Sequence, residues 1–144
     1  MAKRLLAFVS AVAATYVLAA IAMTQINLGY LVSLGRDISL GERLGAISHD
    51  LVGLLGMYLP IVAVTLVIAY LVVALIVSRA PQLRLIGYVV GGFAGMVAVH
   101  LLLQGVFGMA PVWAARDAFG IALQGLSGAV GGYLFARITT PSNA

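Results

Sequence analysis

Four long apolar stretches determine what this chain of 144 residues can fold into. They cover about residues 5–26, 49–77, 85–107 and 112–137. A helix needs about 20 mostly apolar residues to cross the hydrocarbon core of a membrane, so each stretch is long enough. The apolar residues are continuous and do not alternate with polar ones, which favours helices over the strands of a transmembrane barrel.

The scarcity of charge supports a membrane location. Only 8% of the residues are charged and 63% are apolar, whereas a soluble domain carries about 25% charged residues. A chain with so little charge cannot cover a surface that faces water. We therefore predict an all-α integral membrane protein in which four transmembrane helices form an antiparallel bundle, with residues 1–144 as a single domain.

The first apolar stretch also fits a second pattern. Lys3 and Arg4 precede it, and alanines occupy positions 19, 20 and 22, as in a secretory signal before its cleavage site. The apolar run is longer than the about 7–15 residues of a typical signal. We therefore interpret this stretch as a membrane span.

The distribution of charge predicts the orientation. One set of charged positions, at the two ends of the chain and near residues 78–84, is entirely basic: Lys3, Arg4, Arg79, Arg84 and Arg137. The other set mixes three arginines with all four acids: Arg36, Arg43, Arg116, Asp37, Glu42, Asp50 and Asp117. The positive-inside rule then predicts that both termini are cytoplasmic, and the short loops suit a cell inner membrane, which we expect here. The net charge of +4 is thus a topology signal, and its residues are too scattered for nucleic-acid binding.

The connection between the first two spans predicts a short helix at the outer surface. Ser39 and Glu42 have the spacing of a capping box, in which each residue bonds the backbone of the other. Leu40, Leu44, Ile47 and Leu51 then recur on one helical face. We expect an amphipathic helix at the outer interface, serving either as a structural cover or as a lid over the bundle.

Small residues indicate how the spans pack. The third span carries Gly91, Gly92 and Gly95, and in the fourth span Gly128 and Gly132 have the GxxxG spacing. Helices in lipid gain little hydrophobic energy from association, so small residues favour contact by letting two backbones approach. We expect these glycines to pack helices within the bundle, with self-association of the chain as the alternative.

Polar residues within a membrane are costly and therefore mark candidate ligand-binding or proton-relay positions. They concentrate in the outer half of the predicted bundle: His49, Asp50, His100, Gln104, Arg116, Asp117 and Gln124. His100 and Gln104 are four residues apart and share one helical face. If that face meets the strip of the fourth span with Arg116 and Gln124, the bundle encloses a polar pocket that opens outward. The alternative is purely structural. His100 would then be a neutral imidazole bonded to a neighbouring helix, and the charged residues would only mark helix starts at the interface.

Chemistry based on cysteine is excluded, because the chain has none. The sequence also contains no familiar catalytic or nucleotide-binding motif. We expect no catalytic residue, no metal site and no cofactor. A haem held by His49 and His100 is an alternative, although their predicted depths differ by about 10 Å.

The first functional hypothesis is a non-enzymatic binding or accessory protein, whose pocket takes a lipid headgroup, a small solute or a partner helix. The second is an oligomeric transporter or channel, motivated by the glycine faces. The third is a haem-binding or redox membrane anchor that uses His49 and His100. The expected partner is membrane lipid, and a second copy of the chain or another membrane subunit are alternatives.

Overall fold

The computed structural model describes residues 1–107 and 118–140, and these residues form helices without any β-strand. The helices are α1 (Ala2–Ser33), α2 (Leu40–Gly53), α3 (Tyr58–Val77), α4 (Arg84–Phe107) and α5 (Ala118–Ile138), with a 3₁₀ turn over Pro81–Leu83 before α4. Four of them, α1, α3, α4 and α5, are long and apolar enough to cross a membrane. The prediction of an all-helical chain with four membrane-length helices is confirmed.

The outward faces of these helices are as apolar as their inward faces. In α3, Ile68, Leu71 and Leu75 are exposed, whereas Val62 and Leu66 are fully buried. A helix that is apolar on every side would expose its outer face to water in a soluble protein. The arrangement therefore fits a bundle whose outer surface is in contact with lipid.

The second span differs from its prediction. The sequence predicts one span over residues 49–77, whereas the structure ends α2 at Gly53 and begins α3 at Tyr58. Pro60 explains the break, because it has no amide hydrogen and its ring clashes with the carbonyl of the residue four positions earlier, Gly56. Residues 54–57 consequently form turns.

This break moves two candidate residues. His49 and Asp50 are predicted at the start of the second span, but they lie on α2. The membrane-length part of the second span begins at Tyr58, and Pro60 falls in its first turn, where a missing amide hydrogen costs little. The break before Pro60 makes α2 an element of its own, separate from the membrane-length helix α3.

Helix α2 begins with the predicted capping box. The Ser39 amide donates to Glu42 Oε2 at 2.7 Å, and the Glu42 amide donates to Ser39 Oγ at 3.3 Å. The hydrogen bonds from the Ser39 backbone and hydroxyl lower the pKa of the Glu42 carboxyl. The apolar face differs in part from the prediction, since Leu40 and Leu44 are exposed, whereas Leu51 is half-buried against the bundle. Tertiary contacts with α1 set this rotation.

Glycines bring the backbones of α4 and α5 into direct contact. A Cβ atom added to Gly92 would overlap the carbonyl oxygen of Gly128, and one added to Gly128 would overlap the carbonyl oxygen of Gly92. A Cβ on Gly132 would likewise overlap the carbonyl oxygen of Tyr88. Only hydrogen fits at these positions, where Cα–H groups can point at carbonyl oxygens. Helix α5 lies between α4 and α1 and packs extensively on both.

A second set of glycines brings α4 against α3. An added Cβ on Gly91 would overlap the side chain of Val73, and one on Gly95 would lie 3.0 Å from the Cβ of Ala69. Gly91 and Gly95 are four residues apart and therefore form one stripe on α4. Contacts between α3 and α1 complete the bundle.

Hydrogen bonds connect the end of α5 with the start of the chain and with the start of α4. Lys3 Nζ donates to the carbonyl of Thr140 at 3.0 Å, and Arg84 Nη1 donates to the carbonyl of Ala136 at 2.9 Å. We call this the basic end, after the residues found there: Lys3, Arg4, Arg79, Arg84 and Arg137. The opposite end, where α2 lies, is called the α2 end.

An aromatic cluster fills the interior towards the basic end. It takes one ring from each membrane-length helix: Phe8, Tyr70, Tyr88 and Phe135. The ring centroids of Tyr70 and Phe135 are 4.7 Å apart, and those of Tyr88 and Phe135 are 4.9 Å apart. Such distances correspond to directly packed rings.

Candidate functional site

Three buried polar side chains from three helices meet near the α2 end. Tyr58 begins α3, His100 precedes the end of α4 by about two turns, and Gln124 lies about two turns into α5. Their exposed fractions are 1%, 2% and 0%, respectively. The Tyr58 hydroxyl donates to Gln124 Oε1 at 2.6 Å and lies 3.3 Å from His100 Nε2. We call these three residues the polar triad.

Two backbone carbonyls fix the orientation of the triad. His100 Nδ1 lies 2.7 Å from the carbonyl oxygen of Met96. Because a carbonyl can only accept, Nδ1 carries a proton, and Nε2 is the acceptor nitrogen of the neutral ring. Gln124 Nε2 donates to the carbonyl of Ala19 on α1 at 3.2 Å, which turns Gln124 Oε1 towards Tyr58.

The centre of the triad lacks one donor. The Tyr58 hydroxyl has one hydrogen but faces two acceptors, Gln124 Oε1 and His100 Nε2. It donates to the closer one, so His100 Nε2 receives no full hydrogen bond from the described residues. A buried acceptor without a donor costs about 1–3 kcal/mol. An additional N–H or O–H group at this place would therefore be bound favourably.

Residues of α1 connect helix α2 with the triad. The ring centroids of Tyr16 and Tyr58 are 6.2 Å apart, and the Tyr16 hydroxyl donates to the carbonyl of Leu51 on α2 at 2.5 Å. The Thr24 hydroxyl donates to Asp50 Oδ2 at 2.7 Å. These two bonds attach the second half of α2 beside the triad.

The structure brings only some of the predicted site residues together. His100 and Gln124 meet in the triad, and Gln104 is half-buried one turn beyond His100 on α4. Asp50 contacts α1, whereas His49 is exposed on α2. The remaining two candidates, Arg116 and Asp117, lie outside the described residues.

The two histidines occupy different surroundings. His49 is exposed on α2, and His100 is buried between α3, α4 and α5 with its Nδ1 bonded to Met96. These positions do not form a shared pair of axial ligands for a haem. Within residues 1–107 and 118–140, no group of three His, Asp or Glu side chains could hold a metal ion.

Tyr58 is the triad residue that sequence reasoning missed. With a span predicted to begin at residue 49, Tyr58 falls deep in an apolar run and resembles the other tyrosines of the chain. The role of Tyr58 can be inferred from the sequence if a new helix is assumed to begin just before Pro60. Counting from the helix ends then places Tyr58, His100 and Gln124 close to the same end of the bundle.

The chain matches no protein family model, no curated protein and no solved structure.

Proposed function

We propose that the chain is a non-enzymatic, multi-pass protein of the inner membrane that binds a lipid headgroup or small solute at the polar triad. The basic end, with both termini, faces the cytoplasm, and α2 lies at the outer surface. One observation carries the binding proposal: His100 Nε2 is a buried acceptor facing a hydroxyl whose only hydrogen is already donated to Gln124. The favoured ligand therefore carries N–H or O–H donors.

Access to the triad requires movement of α2. No residue of α2 is fully buried, and turns at residues 54–57 join it to α3. Its described side-chain bonds to the bundle come from Tyr16, Thr24 and the Arg43–Gln25 pair. An element with so few buried contacts opens at a lower free energy than the core of a bundle. We propose that α2 acts as a lid that admits the ligand from the outer leaflet.

Phosphatidylethanolamine and phosphatidylcholine test the ligand chemistry. Their headgroups differ in that the ethanolamine ammonium has N–H donors and the quaternary choline nitrogen has none. We expect the purified protein to retain phosphatidylethanolamine about two- to tenfold more strongly, because one net hydrogen bond contributes about 0.5–1.5 kcal/mol. Native mass spectrometry at matched lipid concentrations measures the difference.

A histidine pair supplies the control for this experiment. In His100→Phe the acceptor is lost and the preference for phosphatidylethanolamine should disappear. In His49→Phe, an exposed position on α2, the preference should persist. Equal retention of both lipids by the unmodified protein, or a preference that survives His100→Phe, would contradict the proposed ligand chemistry.

The proposed orientation can be tested with single cysteines, because the natural chain has none. Ser33 ends α1 at the α2 end, and Ser78 follows α3 at the basic end; both are exposed. In spheroplasts, a membrane-impermeant maleimide should label Ser33→Cys directly and Ser78→Cys only after lysis. The reverse pattern of labelling would show that the bundle is inverted.

No specific observation favours either of the two alternatives, an oligomeric transporter or a haem-binding anchor. The glycine faces that suggested an oligomeric transporter are used for contacts within one chain, at Gly92, Gly95 and Gly128. A haem anchor needs two facing imidazoles, whereas His49 and His100 lie in different surroundings. The binding proposal is therefore the one that the contacts support best.

A further inference from the structure

A long groove separates the outer faces of α3 and α4. Its volume is about 910 Å³, and it runs from Pro60 and Leu103 near the α2 end to Ile76 and Leu83 near the basic end. Its lining is apolar except for the side chain of Thr65. The groove is open along its side, which in a membrane faces the acyl chains.

The groove exists because the two helices meet along only one edge. The stripe of Gly91 and Gly95 packs on α3 at Ala69 and Val73. Beside this stripe, the middle of α4 carries two exposed small side chains, Ala94 and Ala98, which leave space against α3. Larger residues there would fill the groove.

Two arginines, Arg79 and Arg84, lie close in sequence to the residues that line one end of this groove. Arg79 follows Ile76, a lining residue, by three positions and lies in the turn just after α3 ends at Val77. The Arg79 side chain is exposed and has no hydrogen bond or ion pair with the described residues. Arg84, its neighbour at the basic end, is by contrast bonded to the carbonyl of Ala136 and the hydroxyls of Thr139 and Thr140. Arg79 is therefore available to an external anion.

The length of the groove suits an acyl chain. From Pro60 to Ile76 the helix rises about 24 Å, whereas one leaflet contributes about half of the roughly 30 Å hydrocarbon core. A lipid anchored at the basic end would therefore place its acyl chain in the half of the groove nearest Arg79. No acidic residue lies among the described residues at this end to repel its phosphate.

We infer that the α3–α4 groove binds one anionic phospholipid of the leaflet at the basic end, with its phosphate at Arg79 and an acyl chain along Ile76, Val72 and Ala94. This site lies at the end of the bundle opposite the polar triad and does not depend on the function proposed above. The charge at Arg79 selects the headgroup, and the groove selects for a lipid tail over a soluble anion.

Phosphatidylglycerol and phosphatidylcholine are the probes for this site. After removal of loosely bound lipid in detergent, native mass spectrometry should show one retained phosphatidylglycerol, favoured over phosphatidylcholine. Arg79→Gln should lower that preference about fivefold, since a basic residue near an anionic lipid surface contributes about 1 kcal/mol. Arg4→Gln removes the same charge from the same end, at another exposed position, and should leave the preference unchanged.

A second matched pair tests the groove itself. Ala94→Phe fills the groove and should displace the retained lipid, whereas Ala13→Phe adds the same side chain at an exposed position of α1 and should not. Circular dichroism verifies that each variant keeps its helices. Equal loss of preference in Arg79→Gln and Arg4→Gln would show only general charge attraction and overturn the inference. Full retention of phosphatidylglycerol in folded Ala94→Phe would also overturn it, and the arginine pair decides the matter if Ala94→Phe does not fold.

Discussion

Replacing Gly92 with alanine is expected to destabilise the bundle by about 3 kcal/mol or more, at the upper end of the cost of overpacking. The added Cβ would overlap the carbonyl oxygen of Gly128, which belongs to a helix backbone and cannot rotate away. Helices α4 and α5 would have to separate along their whole contact. That contact is the most extensive one between helices of the described chain.

Gly105→Ala is the matched control, because it makes the same change in the same helix. No atom of residues 1–107 or 118–140 lies within 4 Å of the Cβ that Gly105 would gain. Alanine also has a higher helix propensity than glycine. Unfolding in mixed detergent and SDS micelles, followed by circular dichroism, should therefore show a large loss for Gly92→Ala and none for Gly105→Ala. Equal stability of the two variants would show that α4 and α5 are not packed as described.

The reciprocal variant strengthens this test. In Gly128→Ala the added Cβ would overlap the carbonyl oxygen of Gly92 and lie 2.6 Å from the Cγ of Met96. Because Gly92 and Gly128 face each other, one substitution already separates the helices. The effects of both substitutions together should be less than additive, as expected for residues that share one contact.

Replacing Tyr58 with phenylalanine should destabilise the bundle by about 1–3 kcal/mol. The change removes one hydroxyl and keeps the ring that packs near Tyr16. Gln124 Oε1 then loses its donor, and His100 Nε2 loses the only hydroxyl near it among the described residues. Two acceptors would remain in a bundle interior where these side chains have almost no exposure.

Tyr70→Phe provides a control on the same helix. Tyr70 is also buried, with 5% exposure, but its hydroxyl has no hydrogen-bond partner within the described part of the chain. Removing that hydroxyl should leave the stability unchanged or raise it, because a buried polar group without a partner is itself unfavourable. The SDS titration should thus separate the two variants, and a Tyr58→Phe protein as stable as Tyr70→Phe would show that the triad contributes no hydrogen-bond energy.

The four membrane-length helices are predictable from the sequence, because a span is recognised from the hydropathy summed over about 20 residues. The sequence also indicates the packing glycines, because Gly92 and Gly128 lie inside apolar spans, where small residues favour close helix contact. The rotation of α2 was not predictable in the same way. Leu44 and Leu51 are equivalent in the pattern, and only contacts with α1 decide that Leu51 turns inward.

The candidate site was predictable to the level of residue type and approximate depth. His100 and Gln124 are polar residues in apolar helices, and such residues turn inward to find partners. Their meeting point depends on Tyr58, whose position is set by the helix break before Pro60. Predicting the site therefore requires knowing where Pro60 breaks the helix. The hydropathy of the sequence does not contain this information.

The aromatic cluster lies between the polar triad and the basic end of the bundle. Phe8, Tyr70, Tyr88 and Phe135 come from all four membrane-length helices and pack directly on one another, with Arg84 placed over the Tyr88 ring. A solute that entered beneath α2, as proposed, would meet these packed rings before it reached the basic end. If the proposed function holds, a ligand bound at the triad therefore enters and leaves at the α2 end, and one chain alone does not pass it on to the basic end.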